Sequence, residues 1–338
     1  MSEVEGISHR LRNAVLGTMD VLAMAIGDRL GYYAALAAGP RTAAELSRGR
    51  GERFAQEWLD QQTLSGWLVR EDDRYRLADG VAEVLTEPDG PGYLTPLARQ
   101  VAAAATRWVA VADTVGEGEG LGWAEFGADM REAQAERNRT RLLSVGWLGA
   151  LPDIEARLRA GEPLRVADIG CGGAWAAIGL ALAFPAVRVD AYDVDPETVV
   201  LAKANVAEEG LTDRITVRCI DIADDTPLQH YDLIVAFECL HDLPRPVAVL
   251  AGMHRLLAPE GAVLIADVAP QDPELRRLAY GLSVLIRLPA SLVSTPTAAI
   301  GAELRPEVLA TYAAQAGFSM QVLPVADEMW RFYRLVRS

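Results

Sequence analysis

A glycine-rich loop between a short apolar strand and a helix constrains the fold of this chain more than any other feature. The strand LRVADIG begins at Leu164 and leads to Gly170, Gly172 and Gly173, and the strand after the helix ends at Asp193. Glycine has no Cβ, so the backbone of such a loop can approach a ligand closely. A carboxylate at the end of the next strand can accept both hydrogen bonds of a ribose diol. The pattern therefore predicts a nucleoside-binding loop at the carboxyl edge of a sheet.

Strands and helices alternate after this loop. The strands read LRVADIG, VRVDAYDV, ITVRCIDI, YDLIVAFE and GAVLIADVA. The intervening helices begin near Ala174, Pro196 and Pro246, with a weaker one near Asp224. This alternation predicts a parallel sheet with helices on both faces. Two more strands, FSMQVLPVA and WRFYRLVRS, follow a helix at 306–316. The fold class expected is α/β, with a Rossmann-like sheet.

The N-terminal region is mainly helical. Thr42 starts TAAELS with Glu45 three residues later, the pattern of a capping box, and Glu52–Ser65 reads as a second helix. The segment WLVREDDRYRLADG has the pattern of a short hairpin. Helix, turn, helix and hairpin together predict a winged-helix module. The second helix, ERFAQEWLDQQT, carries more acid than base and would repel phosphates, so packing and dimerisation are favoured over DNA binding.

Composition excludes several classes of protein. The 338 residues are 51% hydrophobic and carry a formal net charge of −15, which offers no basic footprint for nucleic acid. The three cysteines form no CxxC pair and the four histidines are scattered, so neither a disulfide framework nor a metal site is expected. No signal peptide or membrane span is predicted. We expect a cytoplasmic protein with no membrane partner.

Five ordered motifs carry a resemblance to a known family. They are the DIGCGGA loop, Asp193, the DI pair Asp221–Ile222, YDLIVAFECLHDL, and LLAPEGAVLIAD. Together they resemble the class I S-adenosylmethionine-dependent methyltransferases. The stretches TAAELS, EWLDQQTLSGWL, NRTRLLSVGWL and RFYRLVR extend the resemblance to the bacterial small-molecule branch with an N-terminal winged-helix domain.

The resemblance implies an organisation for the whole chain. It implies a winged-helix dimerisation domain over residues 1–115, a helical linker over 116–160, and an S-adenosylmethionine-binding catalytic domain over 161–338. The sheet would have seven strands, the last of them antiparallel. A homodimer is expected, because the winged-helix domain of such enzymes usually builds one.

The first cofactor residues implied lie around the glycine loop. Backbone at Gly170 and Gly172 would contact the methionine part of S-adenosylmethionine, and Asp168 would support the loop and the ammonium. Asp193 would accept both ribose hydroxyls, and Val194 would pack on one face of the adenine. Asp193 could instead cap the helix after Pro196, although Asp195 suits that role better.

The remaining cofactor residues implied lie at the ends of the third and fourth strands. Asp221 would accept from the adenine amino group, and the Ile222 N–H would donate to a ring nitrogen. Asp221 could also be a turn-forming residue, since Asp is common in turns. Phe237 and Glu238 would close the rim of the site.

His241 is the candidate general base. The related O-methyltransferases carry an LHDW-type segment whose histidine takes the hydroxyl proton, and here the segment reads Leu240, His241, Asp242, Leu243. Leucine therefore stands where that motif has tryptophan. His241 could alternatively be a helix-entry residue oriented by Asp242 without proton chemistry. Glu238 is a second catalytic candidate, as a base or as an amine-binding carboxylate.

The acceptor pocket is expected beneath the apolar segment Asp272–Glu303, with Trp147 and Tyr280 as substrate-binding residues. The reaction predicted is methyl transfer to a small organic molecule of secondary metabolism, most readily at oxygen, with nitrogen and carbon open. One alternative is an enzyme that uses the bound cofactor for cyclisation or decarboxylation. Others are a ligand-sensing winged-helix regulator and an NAD-dependent oxidoreductase, the last disfavoured because Trp175 replaces the third glycine of that fingerprint.

Overall fold

The computed structural model describes residues 2–224 and 229–338. The chain divides into two compact units, one up to Ala103 and one from Ala104 onward. The weak helix predicted from Asp224 falls on residues 225–228, outside the described residues. Within the described ranges, none of the helices has both the length and the apolar character needed to span a bilayer.

The N-terminal unit contains six helices and a hairpin among its described residues. Their bounds are α1 (Glu3–Arg29), α2 (Tyr32–Ala37), α3 (Ala43–Ser47), α4 (Glu52–Leu64), β1 (Leu68–Glu71), β2 (Arg74–Leu77), α5 (Val81–Leu85) and α6 (Thr95–Ala105), the last of which ends beyond the unit boundary.

Local signals in the sequence determine where these elements begin. The Thr42 hydroxyl accepts from the Glu45 N–H at 3.2 Å and the Glu45 carboxylate accepts from the Thr42 N–H at 3.0 Å, so the predicted capping box starts α3. Strands β1 and β2 pair antiparallel. Trp58 on α4 lies between Tyr32 and Tyr33, with ring centroids 5.1 Å and 5.2 Å away. Helix–helix–hairpin order is therefore present over residues 43–77.

Helix α1 is largely uncovered within its unit. Of its residues only Met24 and Gly27 are buried. Its large apolar side chains recur every three or four residues, the spacing of one helical stripe. Those exposed are Val4, Ile7, Leu11, Val15, Leu16, Met19, Leu22 and Ile26.

The C-terminal unit begins with helices and continues as a sheet domain. The helices before the sheet are α7 (Trp108–Gly116), α8 (Ala128–Leu143) and α9 (Pro152–Arg159), with 3₁₀ turns at Trp123–Phe126 and Gly146–Ala150. The strands are β3 (Arg165–Ile169), β4 (Arg188–Asp193), β5 (Ile215–Cys219), β6 (Tyr231–Phe237), β7 (Leu257–Val268), β8 (Phe318–Val322) and β9 (Trp330–Arg337). The helices among them are α10 (Trp175–Ala183), α11 (Pro196–Glu208), α12 (Pro246–Leu256), α13 (Pro273–Leu282), α14 (Leu288–Ser291) and α15 (Pro306–Gln315).

The described strands of this unit form one seven-stranded sheet in the order β5-β4-β3-β6-β7-β9-β8. Strands β3 to β7 pair parallel, and β9 pairs antiparallel with both β7 and β8. One buried apolar cluster lies on each side of it, as a parallel sheet covered by helices requires. The predicted fold class, a Rossmann-like methyltransferase sheet with an N-terminal helical region, is confirmed.

Strand order also fixes where a ligand fits. The chain runs outward from β3 through β4 to β5, then returns so that β6 pairs with the other side of β3. Loops at the carboxyl ends of β3 and β6 therefore leave in opposite directions and open a crevice between them. The glycine-rich loop follows β3, so the fold places it at this switch point.

Candidate active site

A cavity of about 510 Å³ opens at the carboxyl ends of β3, β4 and β6, within the range typical of small-ligand sites. It lies within the C-terminal unit. Its lining combines the glycine loop with residues from α8 and from the segments after β4, β5 and β6. They are Gly122, Trp123, Ala124, Arg131, Gln134, Ala135, Asn138, Leu142, Asp168, Gly170, Cys171, Gly172, Gly173, Trp175, Asp193, Val194, Asp195, Pro196, Thr198, Asp221, Phe237, Glu238, Cys239, Asp242, Leu243, Pro244, Arg245, Val249, Ala290 and Val293.

The glycine loop has a backbone that other residues could not adopt easily. Gly170 has φ +66° and a Cβ there would lie 2.8 Å from the Cβ of Cys239. Gly172 has φ +52°. At Gly173 a Cβ would lie 2.8 Å from the Cβ of Ala135 on α8. Glycine is therefore required here by the backbone conformation and by packing against Cys239 and Ala135, and the predicted close approach of this backbone to a ligand stays a prediction.

Asp168, at the end of β3, is a buried carboxylate that faces the cavity. Asp168 is only 2% exposed, and its Oδ2 atom has no hydrogen-bond partner among the described residues. Burial raises the pKa of Asp168 to about 7, with a further contribution from the nearby Asp193. A buried acceptor without a partner is costly, so this group suits a cationic or donating ligand.

Asp193, at the end of β4, is held by the backbone of the loop it faces. Its Oδ2 accepts from the Gly172 N–H at 3.0 Å and its Oδ1 from the Asp195 N–H at 3.1 Å. Each carboxylate oxygen keeps a further lone pair for a ligand hydroxyl. Burial raises the pKa of Asp193 in spite of these bonds. The helix cap belongs to Asp195 instead, which accepts from the Thr198 N–H at 3.1 Å.

Asp221, which follows β5, lines the cavity, whereas the next residue, Ile222, does not. The Asp221 carboxylate accepts from Arg245 Nη2 at 3.0 Å, and Arg245 also bonds Asp224 at 2.8 Å. Val194 lies at the cavity with 61% of its surface exposed. Ile222 is buried and does not line the cavity, so its predicted backbone contact with the adenine ring stays a prediction.

Glu238 directly follows β6 in a strained conformation, with φ +48°. Its Oε1 accepts from Trp330 Nε1 at 2.8 Å and lies 3.3 Å from Arg137 Nη2, while its Oε2 accepts from Gln134 at 3.4 Å. Burial alone would raise the pKa of Glu238, but Arg137 and Arg287 outweigh it and bring it to about 2. The carboxylate is therefore ionised and a weak base, which suits a structural anchor better than proton transfer.

The aromatic wall behind β6 differs from the predicted one. Phe237 lines the cavity and stacks on Trp330, with ring centroids 5.8 Å apart. Trp147 packs edge-on against the other side of Phe237 at 4.8 Å and donates to the Leu142 carbonyl at 3.2 Å. It is 5% exposed and does not line the cavity. In this position Trp147 supports Phe237, and its predicted contact with the substrate stays a prediction.

His241 is buried behind the cavity wall. It is 1% exposed, and its Nδ1 forms a short hydrogen bond with Asp267, at the end of β7. Its Nε2 lies 3.2 Å from Asp242 Oδ1. Burial alone would lower the pKa of His241, but the carboxylates of Asp242 and Asp267 outweigh it and raise it. Both ring nitrogens therefore face carboxylates of the protein.

Asp242, and not His241, lines the cavity here. Trp123 Nε1 donates to its Oδ2 at 3.1 Å. Burial raises the pKa of Asp242, and His241 and Arg287 only partly offset this. An acceptor hydroxyl in the cavity would meet Asp242 first, with His241 behind it.

The other predicted substrate residue lies elsewhere. Tyr280, on α13, is 52% exposed and does not line the cavity. Helix α8 contributes lining residues that the sequence analysis did not single out: Arg131, Gln134, Asn138 and Leu142. Their spacing of three or four residues is that of one helix face, and this regularity is the signal that could have found them.

Comparisons with known proteins agree with this geometry. Residues 167–263 match the family described as "Methyltransferase domain". The ribosomal protein uL3 glutamine methyltransferase of Bordetella pertussis is 44% identical over 77 residues, 22% of this chain and 26% of the relative. The ubiquinone biosynthesis O-methyltransferase of Xylella fastidiosa is 27% identical over 169 residues, 49% of this chain and 66% of the relative. The chain thus spans from a quarter to just under two thirds of the length of these curated relatives.

Solved structures extend the likeness to the whole chain. The mitomycin 7-O-methyltransferase MmcR has a TM-score of 0.75 at 20% identity, covering 99% of this chain and 98% of that one. The structure titled "PigF with SAH" has a TM-score of 0.71 at 19% identity, covering both chains completely. These similarities confirm the predicted fold over the whole chain, and residues 167–263 carry the match to the methyltransferase domain family.

Proposed function

We propose that this protein is an S-adenosylmethionine-dependent methyltransferase that modifies a small organic molecule. One observation carries the proposal: the carboxylate of Asp168, whose Oδ2 has no partner among the described residues, and the backbone-held carboxylate of Asp193 flank a glycine loop at the switch point of the sheet. A cationic nucleoside with a ribose diol satisfies both carboxylates at once. The match of residues 167–263 to a methyltransferase domain supports the same choice of ligand.

The residues present fit S-adenosylmethionine, which supplies an activated methyl group when bound. Asp168 would hold its ammonium, because Oδ2 is buried and lacks a partner. Asp193 would hold the ribose through its remaining lone pairs, and the Gly170–Gly172 backbone would lie against the methionine part. Val194 and Asp221 would contact the adenine. The domain would hold the acceptor atom in line with the methyl group and the sulfur, and such alignment lowers the barrier to transfer.

Proton removal from an oxygen acceptor falls to the chain Asp242–His241–Asp267. Asp242 lines the cavity and its raised pKa makes it a stronger base than an exposed aspartate. His241 sits between two carboxylates, so it can balance their charge as a proton arrives. The base role predicted for His241 is thereby shared with Asp242, which contacts the acceptor. Glu238 anchors Arg137 and Trp330 and takes no proton.

The acceptor is a small molecule of secondary metabolism. The likeness to a mitomycin O-methyltransferase over 99% of the chain supports this class and supports oxygen as the acceptor atom. The product of methyl transfer would be heavier by one methylene unit. Mass spectrometry of the product therefore separates transfer from the alternative, cofactor-assisted cyclisation or decarboxylation.

We further propose that the N-terminal region is a winged-helix module that builds a homodimer, with residues 1–115 as the dimerisation domain, 116–160 as the linker and 161–338 as the catalytic domain. The elements α3, α4 and β1–β2 occur in winged-helix order. The apolar stripe of α1 is exposed in the single chain, and a second copy would cover it. A cytoplasmic location is part of the same proposal, and cell fractionation tests it.

Calorimetry with S-adenosylhomocysteine tests the proposed function. We expect binding to the wild-type protein and at least about tenfold weaker binding to Asp193→Asn, because a hydrogen bond to a charged group contributes roughly 1.5–3 kcal/mol. Asp213→Asn is the matched control, since Asp213 is exposed and outside the cavity. No binding to the wild-type protein, or equal binding to Asp193→Asn, contradicts the proposal.

A further inference from the structure

Trp123 meets Asp242 in the cavity although the two residues are 119 positions apart in the chain. Trp123 begins the 3₁₀ turn Trp123–Phe126, ahead of α8, and both residues line the same cavity. The indole Nε1–H donates to Asp242 Oδ2 at 3.1 Å. This hydrogen bond therefore joins a wall residue of the cavity to the carboxylate that we propose as the base.

Backbone packing fixes the segment that leads into Trp123. Leu121 is 3% exposed, and its N–H donates to the Pro289 carbonyl at 3.0 Å. A Cβ on Gly120 would lie 2.5 Å from the Val293 nitrogen and closer still to the Pro289 carbonyl oxygen, so the two segments touch backbone to backbone. Val293 lines the cavity as well. The backbone next to Trp123 is therefore held by contacts that do not depend on the indole.

The two carboxylate oxygens of Asp242 have different surroundings. Oδ1 is buried, lies 3.2 Å from His241 Nε2 and has no hydrogen-bond partner among the described residues. Oδ2 is therefore the oxygen that a hydroxyl in the cavity can reach. After accepting from Trp123, Oδ2 keeps a second lone-pair direction. An acceptor hydroxyl can donate to that direction, beside the indole.

The bond from Trp123 also opposes the effect of burial on Asp242. Burial raises the pKa of this carboxyl, and the charge of Asp267 adds to the rise. His241, Arg287 and the hydrogen bond from Trp123 act in the opposite direction. A hydrogen bond to the ionised form of a carboxyl favours that form. Because an indole N–H is a donor only, this contribution does not depend on the protonation of Trp123.

We propose that Trp123 is a positioning residue for methyl transfer, whose indole N–H fixes Oδ2 of Asp242 for the acceptor hydroxyl. This inference rests on the proposed function and adds a residue to its site. The hydroxyl proton passes to Asp242 as the acceptor oxygen bonds the methyl carbon, and the sulfur keeps the electron pair of the bond that breaks. Trp123 gives up no proton and acts through Asp242.

A different interpretation makes Trp123 only a wall of the cavity. The bulk of its side chain would then matter, and its N–H would not. Replacing Trp123 by 3-benzothienylalanine separates the two, because that residue has the shape of tryptophan with sulfur in place of the N–H. Trp123→Phe removes the donor together with part of the bulk.

The test measures the titration of Asp242 itself in protein saturated with S-adenosylhomocysteine. Aspartate labelled with ¹³C at the side-chain carboxyl is followed by NMR across the pH range, and Asp242→Asn identifies the resonance. We expect the pKa of Asp242 to rise by about one or more in both Trp123 replacements, because a hydrogen bond to the charged form is lost. Trp108→Phe is the matched control, since Trp108 on α7 is 62% exposed and lies outside the cavity.

The pH profile of methyl transfer gives a second readout. Catechol, 1-naphthol and 4-nitrophenol serve as hydroxyl probes with saturating S-adenosylmethionine, and mass spectrometry follows the product. The acidic limb of the rate should move to higher pH by the same amount in both Trp123 replacements, because the base must be ionised to take the proton. It should stay in place in Trp108→Phe.

An unchanged pKa of Asp242 in the 3-benzothienylalanine protein overturns the proposal. A pKa that rises while the acidic limb stays in place overturns it as well. If the wild-type protein methylates none of the three phenols, the titration alone decides. Loss of S-adenosylhomocysteine binding by the wild-type protein would instead refute the proposed function.

Discussion

Asp168→Asn should stabilise the unliganded protein at alkaline pH and weaken the binding of S-adenosylmethionine. Asp168 is 2% exposed, its Oδ2 lacks a partner, and burial raises its pKa from 3.8 to about 7. Folding therefore takes up a proton at this residue. The stability of the folded state falls as pH rises from the unfolded pKa to the folded pKa, because the stabilised form is the protonated one.

The magnitude follows from a pKa of about 7 in the folded protein against 3.8 in the unfolded chain, at roughly 1.4 kcal/mol for each pKa unit. The raised pKa of Asp168 lowers the free energy of unfolding by about 4 kcal/mol at pH 8. At pH 5, where the folded form stays protonated, it lowers the free energy of unfolding by about 1.5 kcal/mol. Asparagine does not titrate, but its buried amide protons lack partners, which costs roughly 1–3 kcal/mol at every pH. The stability of Asp168→Asn relative to the wild-type protein should therefore improve by about 2.5 kcal/mol between pH 5 and pH 8.

Urea unfolding of both proteins at pH 5 and pH 8, followed by circular dichroism, measures this difference. Asp213→Asn, an exposed carboxylate outside the cavity, should show no comparable pH dependence relative to the wild-type protein. The same Asp168→Asn protein should bind S-adenosylmethionine at least about tenfold more weakly, since a neutral amide replaces the carboxylate proposed to hold the ammonium. An equal stability difference at the two pH values would refute the assignment of a buried carboxylate with a raised pKa.

Three more outcomes follow from the structure. Asp242→Asn should lower the methyl-transfer rate about a hundredfold or more with an oxygen acceptor while leaving S-adenosylhomocysteine affinity unchanged in calorimetry; an unchanged rate would remove Asp242 from the reaction. Gly170→Ala should destabilise the fold by roughly 1–3 kcal/mol in thermal unfolding because of its positive φ and the Cys239 contact, whereas Gly149→Ala, with open space around it, should stay near the wild-type midpoint. Leu11→Glu in the exposed stripe of α1 should shift sedimentation from dimer to monomer, and Arg12→Glu on the same helix should not; a monomeric wild-type protein would contradict the proposed homodimer.

Much of the cofactor site could be predicted because its geometry is local or set by parallel strands. The carboxyl ends of such strands meet at one sheet edge, so Asp168 and Asp193 had to converge on the glycine loop between them. The capping box at Thr42 is equally local, since all its bonds lie within three residues. Sequence patterns report such short-range constraints directly.

The surroundings of His241 could not be predicted from its own segment. Asp267, its Nδ1 partner, is 26 residues later in the chain and reaches it because β6 and β7 pair with Phe237 opposite Ala266. That register is a property of the assembled sheet. Trp147 was likewise expected in the acceptor wall, but it packs behind Phe237, a position decided by how the segment after α8 meets the sheet.

The proposed function requires that the cavity beside the glycine loop hold a sulfonium nucleoside. X-ray diffraction from crystals grown with S-adenosylhomocysteine tests it most directly. We expect density with the ribose hydroxyls on Asp193 and the amino group beside Asp168. A cavity that stays empty at saturating ligand, or density bound elsewhere on the protein, would contradict it.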